Sequence, residues 1–112
     1  MELKIHKSQG VSIIDVQGEL DLYNAYKLKE LLIKMLEEKT DRFVINLDEV
    51  EYIDSSGIGV LVYISSTAKK SNMKLAITNI HGSVLKVMDL TKLTDYFPIT
   101  ATLDEAITQV SA

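Results

Sequence analysis

Two short apolar runs constrain this chain more than anything else in it. Phe43-Val44-Ile45-Asn46-Leu47 and Leu75-Ala76-Ile77 are nearly continuous in apolar residues, the pattern of strands covered on both faces. Such strands are parallel neighbours, and parallel neighbours need a crossover of a dozen or more residues between them. The segment between the two runs therefore has to supply a helix. Its centre, Ile58-Gly59-Val60-Leu61-Val62-Tyr63-Ile64, is rich in β-branched residues, and propensity alone assigns it to a strand. A helix buried along much of its length, however, is apolar nearly all round. Ile58, Leu61, Val62, Ser65 and Ala68 share a small-to-apolar face, and Lys69-Lys70 suit a helix C-terminus. The expectation is a helix from about Gly57 to Lys70.

The remaining elements fall in around this unit. Leu3 and Ile5, then Val11, Ile13, Ile14 and Val16, flank a polar turn at Ser8-Gln9-Gly10, which reads as a β-hairpin. Leu28, Leu31, Leu32, Met35 and Leu36 recur at helical spacing within residues 23–38. Val84, Leu85, Val87, Met88 and Leu90 mark a third helix. Tyr96-Phe97-Pro98-Ile99 reads as a short edge strand, where proline is tolerated. Thr102-Leu103-Asp104-Glu105 is a capping box that opens a last helix, with Leu103, Ala106, Ile107 and Val110 on one face. The expected fold is α/β: a mixed, mostly parallel β-sheet with an N-terminal β-hairpin and about four packed α-helices, one domain over residues 1–112.

Composition excludes several classes of function. A formal net charge of −4 leaves no basic excess to neutralise phosphates, so direct nucleic-acid binding is not expected. There are no cysteines, and the two histidines, His6 and His81, lie far apart, so neither a thiolate nor a zinc site is expected. The apolar run from Ile58 to Ile64 falls well short of the ~20 residues that span a bilayer. The start, Met1-Glu2-Leu3-Lys4, does not resemble a signal peptide. A cytoplasmic protein with no membrane partner is the expectation.

Chemistry concentrates at Asp54-Ser55-Ser56-Gly57, after the polar stretch Glu49-Val50-Glu51-Tyr52, which reads as exposed. Loops at the carboxyl ends of strands are where α/β proteins place their sites. A serine here lies beside the unpaired N–H groups of the following helix, and Ser55 or Ser56 can equally well be its N-cap. Gly57 and Gly59 permit close approach of another surface, but without a lysine they do not make a phosphate-binding loop. A second loop, Gly18-Glu19-Leu20-Asp21, precedes the first helix, which Asp21 or Asn24 can cap. In a fold of this order both loops open at the ends of neighbouring parallel strands, which places Asp21 near Ser55. Asp21, Asp54 and Ser55 could be borrowed as acid, base and nucleophile, but no nearby histidine or lysine base and no oxyanion or cofactor motif accompanies them. An enzyme is not expected, and neither is a bound cofactor. The five tyrosines (23, 26, 52, 63 and 96) are scattered and read as packing at element edges. Met35 and Met88 read as core fillers, although Met88-Asp89-Leu90 lies near the site in this topology and could rim an interface.

Gly18-Glu19-Leu20-Asp21, and Asn46-Leu47 followed by Tyr52-Ile53-Asp54-Ser55-Ser56-Gly57-Ile58-Gly59, resemble the STAS domain family and, within it, bacterial anti-sigma-factor antagonists. The similarity in element order runs over essentially the whole chain, by pattern alone after about residue 80. Ile58 stands where leucine is usual, and Asn24 where threonine or serine is frequent. The resemblance implies Ser55 as a phosphorylation site, with Asp21, Asn24, Asp54, Ser55, Ser56 and Gly57 on a partner-binding surface; both serines could accept phosphate, and the sequence alone does not choose between them. It further implies two partners: an anti-sigma factor that is a serine kinase, bringing its own ATP and magnesium, and a serine phosphatase that resets the switch. The alternative it implies is a non-switching STAS interaction module, a scaffold or a component of a lipid-transport complex.

Overall fold

The structure is a computed structural model describing all 112 residues. It has nine elements: β1 (Glu2–Ser8), β2 (Val11–Leu20), α1 (Ala25–Glu37), β3 (Arg42–Ile53), α2 (Ser55–Lys70), β4 (Lys74–Thr78), α3 (Gly82–Thr91), β5 (Ile99–Thr100) and α4 (Leu103–Ser111). The five strands form one sheet in the order β1-β2-β3-β4-β5. β1 and β2 are antiparallel, and every other neighbouring pair is parallel. This is the mixed, mostly parallel sheet with an N-terminal hairpin and four helices that the sequence predicts. The hairpin turns on Gln9 and Gly10, both at positive φ (54° and 79°), the backbone that matches the right-handed twist of its strands.

Two cores explain the strand patterns. On one face Ile14, Val16, Phe43, Ile45, Leu75 and Ile77 pack against Leu28 and Leu32 of α1, Leu61 and Ile64 of α2, and Val84 and Met88 of α3. On the other, Val11, Ile13, Val44 and Ala76 meet Ala106, Ile107 and Val110 of α4. The central strands are thus sandwiched, which is why their sequences are continuous in apolar residues rather than alternating. α2 is helical despite its β-branched content. Ile58, Leu61, Ile64 and Ala68 are all buried on the sheet, and tertiary burial overrides a propensity that spans only about 1 kcal/mol.

Two elements differ from the sequence expectation. β3 does not stop at Leu47 but continues through Glu49-Val50-Glu51-Tyr52 to Ile53, with Val50 and Ile53 buried and the others exposed. The β2–β3 register shifts twice on the way, between Asp15 and Gln17 and between Gly18 and Glu19. Each shift inserts an extra residue in β3 and breaks the two-residue periodicity by which a strand is recognised. The edge strand also moves. The paired residues are Ile99 and Thr100, and Pro98 contributes only its carbonyl, which accepts from the Ile77 amide. Proline has no N–H to give a ladder, so pairing starts after it.

Candidate functional site

The parallel strands deliver their carboxyl ends to one end of the molecule. β3 ends at Ile53, and Asp54 leaves the sheet in extended conformation (φ −119°, ψ −172°) as the N-cap of α2. Its Oδ1 accepts from the amides of Ser56 (2.9 Å) and Gly57 (3.1 Å), while Oδ2 accepts from the Leu22 amide (3.0 Å). One carboxylate therefore starts the helix and ties it to the β2–α1 loop. The cap is Asp54, and neither of the serines the sequence offered for that role is needed. Ser55 occupies the first helical position. It is exposed, and no hydrogen bond within the protein engages its hydroxyl. Ser56 is half-buried beside it.

The second loop is built around Asp21. Its Oδ1 accepts from the amides of Tyr23 (3.0 Å) and Asn24 (3.1 Å) and from the Asn24 side-chain Nδ2 (2.9 Å). Such an aspartate-centred turn organises the entry to α1. Asp21 is only 8% exposed, so its part at the site is to shape the loop. Asn24, at the N-cap position of α1, makes no capping bond of its own; its side chain serves the Asp21 turn instead.

Gly57 fixes how closely the loops meet. A Cβ there would lie 2.2 Å from the Leu20 carbonyl oxygen and 2.7 Å from Ile53 Cγ1, so only glycine lets α2 start against β2. The structure thus brings Asp21, Asn24, Asp54, Ser55, Ser56 and Gly57 to one end, with the Leu22–Asp54 bond as the link.

Sequence reasoning missed two contributors. Leu22 and Tyr23 are 68% and 79% exposed on this loop, an apolar pair uncovered beside the polar site. Nothing in the sequence marked Leu22. The tyrosines do not simply pack at element edges: Tyr23 is largely exposed, and Tyr26 and Tyr52 are about half-exposed. Met88 is fully buried in the core, as a core filler would be, and Met88-Asp89-Leu90 lies at the C-terminal end of α3, away from the end that meets the strands. What α3 brings to the strand end is its start, where Ser83 Oγ donates to the Glu51 carbonyl (2.6 Å).

No group of three or more histidine, aspartate or glutamate side chains is arranged to hold a metal ion, and no helix is long and apolar enough to cross a membrane.

A mostly parallel sheet led by an antiparallel hairpin and covered by four helices is the architecture of the STAS domain family. The chain belongs to that family, whose pattern matches residues 2–106. Among its relatives is the anti-sigma-B factor antagonist of Bacillus subtilis, 34% identical over 88 residues, covering 79% of this chain and 80% of that one. A solved structure from Thermotoga maritima superposes with a TM-score of 0.89 at 27% identity, covering 98% of this chain and 95% of the other. An anti-sigma factor antagonist from Mycobacterium paratuberculosis gives 0.87 at 26%, covering 99% and 94%.

Proposed function

We propose that this chain is an anti-sigma factor antagonist whose unphosphorylated form binds an anti-sigma factor serine kinase, and that phosphorylation of Ser55 ends the binding. The observation that carries this reading is the division of labour between Asp54 and Ser55. Because Asp54 caps α2, the Ser55 hydroxyl is left exposed and unbonded at the helix start, available to an incoming kinase. Ser55 is then a substrate of another protein's chemistry. No base is bonded to its hydroxyl, and both Asp54 oxygens are occupied by backbone amides, which leaves Asp54 poorly placed to act as one.

The switch follows from charge. A phosphate adds about −1.5 to −2 charges at neutral pH. In the free protein the helix N-terminus offsets that charge by ~0.3–2 kcal/mol. In a docked complex the dianion would be held beside Asp54 against a partner, with its solvation reduced. A thousandfold loss of affinity needs only about 4 kcal/mol, within reach of such repulsion. Asp54, Ser56, Gly57 and the Asp21–Asn24 loop form the remainder of the proposed docking surface, with Leu22 and Tyr23 as its apolar part. A serine phosphatase resets the switch.

The test is intact mass after incubation with ATP and the cognate anti-sigma kinase. One added phosphate is expected, absent from Ser55→Ala and retained by Ser56→Ala. Ser55→Ala should hold the kinase and resist release, and Ser55→Asp should fail to bind. Uptake of no phosphate, with no capture of the kinase, would replace this reading with a non-switching STAS interaction module.

A further inference from the structure

At the end of the molecule away from Ser55, a groove of about 380 Å³ runs between the β1–β2 hairpin and the outer flank of α1. Its existence follows from the topology. α1, α2 and α3 cover one face of the sheet, but β1 is the outermost strand, and its inward-pointing Ile5 remains 53% exposed. Leu31 and Met35 of α1 form the facing apolar wall. Around this apolar floor stand Lys7, Lys34, Lys39 and Arg42, against Glu38 and Asp41. Four cations face two carboxylates, in a chain whose net charge is −4. None of the four is in an ion pair: the ion pairs of the structure are His6–Asp15 and His81–Asp48.

We propose that this groove docks an acidic amphipathic helix of a partner protein. The missing layer is a helix beside α1 and over β1, the place at which the sheet's helical cover stops. An apolar stripe at helical spacing would cover Ile5 and the partly buried Leu31, over a floor that Met35, already buried, completes. Carboxylates flanking that stripe would meet Lys7, Lys34, Lys39 and Arg42, and such complementarity also excludes basic helices. The residues of α1 and its C-cap that line the groove, Leu31, Lys34, Met35 and Glu38, have the spacing of one helix face, so the groove presents a straight ridge for a second helix to lie against. The full length of β3 separates the groove from Ser55. The surface is therefore independent of the phosphorylation site, and the proposal stands whether or not the switch reading does.

The experiment titrates the ¹⁵N-labelled full chain with a designed helical peptide of about 16 residues carrying leucine on one face and glutamate beside it. Its counterpart with lysine for each glutamate is the control. The expected result is saturable shifts confined to residues 3–12 and 31–42 with the acidic peptide, weakened by salt, and none with the basic one. The K34E/K39E double variant changes two exposed side chains and should keep its thermal midpoint while losing at least tenfold in affinity. Shifts centred on residues 20–24 and 54–57, equal binding of both peptides, undiminished binding by the variant, or no binding at all would overturn the proposal. So would a lack of peptide binding combined with co-sedimentation on phosphatidylglycerol vesicles, which would assign the cations to a lipid surface.

Discussion

Gly57 and Gly59 lie two residues apart in α2 and answer to different constraints. Gly57 has no room for a side chain: an added Cβ would press on the Leu20 carbonyl at 2.2 Å, and backbone cannot move aside as a side-chain tip can. Gly57→Ala is therefore expected to destabilise by about 1–3 kcal/mol, as overpacking does. Gly59 is exposed, with nothing within 4 Å of its would-be Cβ. Gly59→Ala should stabilise the free protein by about 0.5–1 kcal/mol, the cost of glycine in a helix interior. Urea unfolding of both variants checks the pair of signs. If Gly59→Ala also binds the kinase less well, the residue is there to let a partner approach. At this scale the sequence showed which residues gather at the site but not who does what among them. Asp54, Ser55 and Ser56 are all good cap residues, and the choice depends on where β3 stops. The extra residues in β3 decide that, and they leave no periodic trace.

Beyond the part of the sheet that α4 covers, on the same face as Ile13 and Val44, a polar clamp holds β3 in place. Asn46 Nδ2 donates to Asp15 Oδ1 (2.9 Å), while Asn46 Oδ1 accepts from the Asp48 amide (3.1 Å) and from Asn79 Nδ2 (2.8 Å). One side chain thus joins β2, β3 and the segment after β4 at the first register shift, which lies between Asp15 and Gln17. Asn46→Ala removes three hydrogen bonds, and a loss of about 1–3 kcal/mol is expected from the groups left unpaired. Because the shift sets the position of residues 49–53, the amide resonances of Asp54 to Gly57 should move as well, although they lie far along the strand. Asn46→Asp keeps the acceptor but sets a carboxylate against Asp15, so it should fare no better than alanine. Chemical denaturation with a ¹⁵N–¹H correlation spectrum measures both effects. Elements resting on burial were the legible ones: the paired apolar runs placed β3, α2 and β4 correctly, and topology outweighed the β-branched content of α2. The second half of β3 was not, because Asp48, Glu49, Glu51 and Tyr52 face solvent and only Val50 and Ile53 turn inward. The Thr102 cap, by contrast, was local chemistry. Thr102 Oγ1 accepts from the Glu105 amide, and Glu105 reaches back to the Ala101 amide.

Over the whole molecule charge is unevenly spread along the strands. Glu19, Asp21, Glu51 and Asp54 lie at or beside the carboxyl ends of β2 and β3, whereas Lys39, Arg42, Lys69, Lys70 and Lys74, with Glu37, Glu38 and Asp41 among them, lie where strands begin and helices end. A net charge of −4 says nothing of how charge is distributed, and the groove beside α1 carries four cations against two carboxylates. The same polarity bears on how Ser55 can act as a switch. A charge at Ser55 sits at the first position of α2, where the helix dipole favours it by about 0.3–1 kcal/mol in an exposed setting, while Asp54 next to it opposes it by a similar amount. The two nearly cancel. Ser55→Asp should then keep a thermal midpoint within about 4 °C of the parent, the shift that roughly 1 kcal/mol gives a domain of this size. Its backbone resonances should change only within residues 20–24 and 52–60. Kinase binding should nevertheless be lost, since in the complex the added charge is stripped of solvent while the offsetting dipole is unchanged. A midpoint that fell by tens of degrees, or resonance changes spread through β1 and α4, would mean that the charge acts by remodelling the fold. Retained stability with lost binding would place the switch wholly at the interface.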